Sequence, residues 1–108
     1  MPKSNGWIGV DFDGTLAHHT SGQAGLGAPL QPMLRRVKRW LADGKDVRIV
    51  TARVNTKNGH TEREAIKAWL KKHVGQELPV TASKSPNMTV LYDDRAVRMV
   101  KNTGRVKR

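Results

Sequence analysis

Two carboxylates stand two residues apart in the run Val10-Asp11-Phe12-Asp13-Gly14-Thr15-Leu16, directly after the apolar Trp7, Ile8 and Val10. A strand ending there projects side chains i and i+2 to one side, so Asp11 and Asp13 converge on one point. Gly14 lets the backbone turn sharply and brings its N–H groups close to whatever occupies that point. Two acids with inward amides suit a phosphate held through a divalent cation. Alone, the same residues also make an Asp-Gly turn of the kind that closes hairpins.

Two further stretches narrow the choice. Thr89-Val90-Leu91-Tyr92 runs into Asp93-Asp94-Arg95, with Lys84 a little upstream, and Val47-Arg48-Ile49-Val50 runs into Thr51-Ala52-Arg53. Three apolar strands thus end in Asp, Thr and Asp-Asp, with a lysine in reach. In an open parallel sheet, ligands bind beyond the carboxyl ends of the strands. These endings therefore converge by construction.

With these motifs the chain resembles the haloacid dehalogenase (HAD) superfamily of phosphotransferases. Asp11-Phe12-Asp13-Gly14-Thr15, Thr51, Lys84 and Asp93-Asp94 follow the family's four motifs in order, across roughly residues 7–100. The Val-Asp-Phe-Asp-Gly-Thr-Leu-Ala opening and the Asp-Asp-Arg ending are most similar to polynucleotide 3'-phosphatase domains and small phage or bacterial relatives. The resemblance implies a phosphatase in which Asp11 attacks phosphorus to form an aspartyl-phosphate. Asp13 then protonates the leaving oxygen and activates the hydrolytic water.

It also implies Mg²⁺ bound by Asp11, the Asp13 backbone carbonyl and Asp93, with Asp94 in a supporting position behind the cation or Lys84. Lys84, the Thr51 hydroxyl and amides around Phe12, Asp13 and Ala52 would hold the phosphoryl oxygens, and Gly14, Ala52 and Arg53 complete the substrate set. Superfamily members usually carry a cap domain. Here a flap at 17–31 and a short loop at 53–61 leave no room for one. An open site of this kind either accepts a large substrate, such as a nucleic-acid end, or borrows a wall from a second copy in a homo-oligomer.

Composition agrees with this reading. The 108 residues make one small domain, 1–108, without cysteine, so disulfides and thiolate metal sites are excluded. Twenty Lys and Arg oppose nine acids, for a net charge of +11, and Asp11, Asp13, Asp93 and Asp94 supply four of those nine. Residues 95–108 contain Arg95, Arg98, Lys101, Arg105, Lys107 and Arg108 but no acid. Such a field attracts polyanions and anionic substrates. No apolar run reaches membrane-spanning length, and 1–6 lacks an apolar segment, so a cytoplasmic protein without a membrane partner is expected.

The elements that position these residues alternate. Strands are expected at 7–10, 46–50, 79–81 and 89–92. Pro32 opens a helix whose Met33, Leu34, Val37, Trp40 and Leu41 recur at helical spacing, and Gly44 ends it. Thr61-Glu62-Arg63-Glu64 reads as a capping box before a helix carrying Ala65, Ile66, Trp69, Leu70 and Val74. A last helix is expected over 95–102, with Ala96, Val97 and Val100 inward, then a cap near Gly104 and a short edge strand at Val106. The chain leads away from Asp93 in that arrangement. Together these imply an α/β, Rossmann-like three-layer sandwich around a mostly parallel sheet.

Other residues carry weaker signals. His18 and His19 read as exposed flap residues, since adjacent side chains on a strand point oppositely. Arg53 serves either the substrate or an ion pair with Asp94 or Glu62. Lys57 and His60 occupy a loop near the end of the second strand. Trp7, Trp40 and Trp69 belong to the core, and Arg95 folds back as an internal ion pair. The expected function is Mg²⁺-dependent hydrolysis of a phosphate monoester on a nucleotide or polynucleotide end. The alternatives are a phosphorylated small molecule as substrate, or a non-catalytic basic module that binds nucleic acid.

Overall fold

The computed structural model describes residues 6–108, so the leader-free reading of Met1 to Asn5 lies outside it. Strand β1 (Trp7–Asp11) is followed by helix α1 (Gln31–Ala42) and strand β2 (Val47–Val50). A single 3-10 turn (Ala52–Val54) precedes helix α2 (Gly59–His73). Strands β3 (Val80–Thr81), β4 (Met88–Tyr92), β5 (Met99–Val100) and β6 (Arg105–Val106) complete the chain. The first four strands form one parallel sheet in the order β3-β2-β1-β4, in which Val10 lies opposite Ile49 on one side and Tyr92 on the other. The result, among the described residues, is an α/β fold with a parallel sheet and two α-helices. Among the described residues no helix is long and apolar enough to cross a membrane.

Alternation along the strands sends Val10, Val47, Ile49 and Val80 to one face, and both helices pack there. Leu34 and Val37 of α1 join Ile66, Trp69 and Leu70 of α2 in a single core with Phe12 and Leu16. The Phe12 and Trp69 rings meet edge to face at 4.9 Å. Each aliphatic or aromatic side chain fully buried in this way contributes roughly 1.5–3 kcal/mol.

The expected three-layer sandwich is therefore corrected to one helical layer on one sheet. The connection from β3 to β4, residues 82–87, holds no helix to cover the second face. Trp7 covers part of that face instead. It is 2% exposed, its indole N–H donates to Ser85 Oγ at 2.9 Å, and the Arg48 guanidinium lies over its ring at 4.8 Å. Arg48 is itself held by Asp46.

Helix α1 forms as its spacing predicts. It ends in a paired turn: Gly44 N–H donates to the Leu41 carbonyl and Lys45 N–H to the Trp40 carbonyl. Gly44 has φ +78°, the left-handed conformation such an ending requires. Helix α2 departs from expectation. It starts at Gly59, so Thr61 lies within its first turn, and no side chain caps it. Gly59 packs so closely on the Val54 carbonyl that a Cβ would stand 2.2 Å from that oxygen. Glu62, the supposed partner in the capping box, turns to Arg53 instead.

The helix expected over 95–102 is absent. Asp93 Oδ1 accepts from the N–H groups of Arg95 (2.7 Å) and Ala96 (3.1 Å), a local turn that competes with helix. Beyond it, β5 and β6 pair antiparallel, with Asn102 (φ 63°) and Gly104 (φ 72°) in the connecting turn. Val97 and Val100, expected inward, are exposed. Val106 is in a strand, but one that belongs to this hairpin.

Candidate active site

The carboxyl ends of β1, β2 and β4 open into one cleft of about 740 Å³. Asp11, Asp13, Gly14, Thr51, Ala52, Arg53, Asp93 and Asp94, all marked by their sequence, line it. Lys84 does not. Ala82 still faces the cleft, but the chain then leaves β3 for the far end of the sheet and carries Lys84 out as an exposed residue. Lys57 and His60 are exposed and also outside the lining.

Oxygens of Asp11, Asp93 and Asp94 lie within 4.8 Å of one another. The turn after β1 makes this possible. Phe12's carbonyl accepts from the N–H groups of Leu16 and Ala17, and Gly14 N–H donates to the Ala17 carbonyl at 2.8 Å. The Gly14 amide is thus committed within the turn rather than offered to a ligand. Gly14 serves another purpose: at φ +83°, a Cβ there would stand 2.6 Å from Asp94 Oδ2. Only glycine lets Asp94 approach Asp11 this closely. Thr15 Oγ1 bridges the two, at 3.3 Å from Asp94 Oδ1 and 3.5 Å from Asp11 Oδ2.

The crowding has an electrostatic signature. Burial, then the hydrogen bond with Asp94, then the charges of Asp93 and Asp94 push the Asp11 carboxyl up to about 7. Asp94 is lowered, first by its hydrogen bond with Asp11, with Thr15 and the charge of Arg95 adding to it. The acid nearest Asp11 is therefore Asp94, whereas Asp93 spends one oxygen on its own turn. The sequence reading set Asp93 on the cation and Asp94 behind it; the structure groups both acids with Asp11.

The Asp13 side chain lines the same cleft but is not part of that cluster. Arg53 grips it with two bonds, Nε to Oδ2 at 2.6 Å and Nη2 to Oδ1 at 3.1 Å. The same guanidinium reaches Glu62 Oε2 at 3.3 Å and the flap carbonyls of Ala24 and Gly25. Pairing first with Asp13 and then with Glu62 raises the pKa of this already charged guanidinium. Of the two partners considered for Arg53, Glu62 is found and Asp94 is not; Asp13 was missed. Thr51, 4% exposed, accepts the Arg53 N–H on its hydroxyl at 3.2 Å.

His19 was also missed. The flap folds back on itself, with His18 N–H donating to the Ala28 carbonyl, and this sets His19 Nδ1 3.5 Å from Asp13 Oδ1. No spacing rule places a flap residue beside a strand end; only the closing of the loop does. His18 remains exposed, as expected. Arg95 lines the cleft as an exposed side chain and forms no ion pair among the described residues, so its assignment to an internal pair is corrected.

Three carboxylates converging at two adjacent strand ends, with the Asp11 carboxyl raised to about 7, form a donor set suited to a hard divalent cation. No family model matches the chain. No curated protein matches it. Among solved structures, the conserved protein from Bacteroides thetaiotaomicron is similar, with a TM-score of 0.58 and 21% identity over 83% of this chain and 76% of that one. That likeness extends to the fold.

Proposed function

We propose that the chain is an HAD-type phosphatase that hydrolyses a phosphate monoester on a nucleotide or polynucleotide end. The observation that carries this reading is the Asp11–Asp93–Asp94 cluster at the carboxyl ends of adjacent parallel strands. Asp11, Asp93 and Asp94 would hold Mg²⁺, with the Asp13 backbone carbonyl beside them. When bound, the cation neutralises charge on the phosphate and keeps Asp11 ionised.

The chain's own residues supply the remaining steps. An Asp11 carboxylate oxygen attacks phosphorus, the bond from phosphorus to the ester oxygen breaks, and the leaving oxygen takes a proton. Asp13 provides that proton and later accepts one from the attacking water. Arg53 occupies both Asp13 oxygens in the free site, so it must release one of them when Asp13 meets the leaving oxygen. Thr51 and the amides around Asp13 and Ala52, outside the hydrogen-bonded turn, receive the equatorial oxygens. Since Lys84 lies outside the cleft lining, Arg53 and Arg95 are the cations best placed to face the phosphoryl group.

Hydrolysis of p-nitrophenyl phosphate, with Mg²⁺ and with EDTA, tests the reading. The wild type should turn over only with Mg²⁺, and Asp11→Asn should lose about a thousandfold or more. Equal rates in wild type and Asp11→Asn would rule out nucleophilic attack by Asp11. A non-catalytic binding module would show no turnover under any condition. A screen of phosphorylated nucleosides, 3'-phosphorylated oligonucleotides and sugar phosphates separates a nucleic-acid end from a small metabolite.

A further inference from the structure

The hairpin that replaces the expected last helix has two chemically distinct faces. Met99 pairs with Val106 and Val100 with Arg105, and Lys107 N–H donates to the Arg98 carbonyl at 2.7 Å, which sets Arg98 opposite Lys107. Side chains alternate along each strand, and directly paired residues share a face. One face therefore presents Arg98, Arg105 and Lys107 around Val100, and the other presents Met99 and Val106. All of them are exposed, and no acid lies anywhere in 95–108.

The hairpin also stays near the cleft. Arg95 lines the cleft and Met99 begins β5. Four residues of extended chain span at most about 14 Å, so the basic face starts within that distance of the rim. Arg95 at the rim and Arg98, Arg105 and Lys107 on one hairpin face thus lie a short length of chain apart. A polyanion with closely spaced charges matches them.

We propose that this basic face docks the sugar-phosphate backbone of a nucleic-acid strand whose phosphorylated end enters the cleft. The placement of the end rests on the phosphatase reading above; the docking of the backbone does not. A second copy of the chain is a poor occupant, because each copy carries a charge of +11. A lipid surface also fits poorly. The cations and the Met99–Val106 pair face opposite ways, whereas membrane insertion needs apolar side chains that sink while flanking cations stay at the headgroups.

The test uses full-length protein carrying Asp11→Asn, so that the probe survives. Fluorescence anisotropy measures binding of a labelled single-stranded oligonucleotide ending in 3'-phosphate, across a salt series. The combined variant Arg98→Gln, Arg105→Gln, Lys107→Gln should bind at least about tenfold more weakly, with the slope against log salt reduced by about 2. A charge-matched control, Arg36→Gln, Lys38→Gln, Arg39→Gln on the exposed side of α1, should bind as the parent does. Equal loss in both variants, or no loss in the first, overturns the proposal. So does binding to phosphatidylserine vesicles without binding to the oligonucleotide. Wild-type turnover of p-nitrophenyl phosphate is scored separately. Its absence overturns the phosphatase reading and the placement of the strand end in the cleft, while binding that depends on the hairpin still supports the docking surface.

Discussion

At the scale of single residues, the site is built on a carboxylate that burial and its acidic neighbours hold partly protonated. Asp11 titrates near 7 in the fold against 3.8 as a free side chain. A raised folded pKa means that the acid's ionisation works against folding. Its contribution is most favourable below about pH 4 and is lost as pH rises toward 7. In EDTA, the melting temperature of the wild type should therefore fall across that window relative to Asp11→Asn. Above pH 7 the variant should be the more stable of the two. Saturating Mg²⁺ should remove the difference in pH dependence. Parallel melting curves for the two proteins would contradict the assigned crowding.

Gly14 makes a second prediction at this scale. A Cβ there meets Asp94 Oδ2 at 2.6 Å and sits at φ +83°. Gly14→Ala should cost about 1–2 kcal/mol in stability from the backbone alone. By displacing Asp94, it should lower activity far more than that loss explains. Chemical denaturation and turnover, measured on one preparation, separate the two effects.

At the scale of elements, helix α2 shows how a tertiary contact displaces a local motif. Glu62 bonds Arg53, Arg53 grips Asp13, and the helix begins at Gly59, where its backbone meets Val54. Thr61 then has no cap to provide. Thr61→Ala should cost less than about 0.5 kcal/mol, against the roughly 1 kcal/mol typical of a lost cap. A urea titration decides between them. Helix α1 makes the opposite case. Its apolar spacing, Pro32 near the start and Gly44 at the end are all used as local rules predict. The difference is that α1 carries no residue of the site, so nothing competes for its ends.

At the scale of the whole molecule, an excess of positive charge surrounds a small acidic cleft. Mg²⁺ binding only to the folded cluster should stabilise the protein by about 2.7 kcal/mol at a hundred times its Kd. Calorimetry in Mg²⁺ and in EDTA measures this. An unchanged melting temperature would remove the cation from the cluster. High salt should leave that shift largely intact, because the cluster is partly buried, while it erodes binding of polyanions to the exposed cations.

That short apolar runs end in Asp11, Thr51 and Asp93-Asp94, with helices between them, is legible along the chain. Pleat and helix periods involve residues a few positions apart, so they can be read along the chain. The parallel alignment of those runs then brings their ends together. The rest follows from contacts made in three dimensions. The short 82–87 connection leaves one sheet face to Trp7, and Arg53 reaches across the cleft to Asp13. The flap closes to set His19 beside it, and Lys84 is carried out of the cleft. The last segment became a hairpin because Asp93 bonds the amides that follow it and leaves Val97 and Val100 no core to enter. Each of these outcomes depends on partners distant in sequence or on competition for one hydrogen-bonding group. Spacing along the chain records neither.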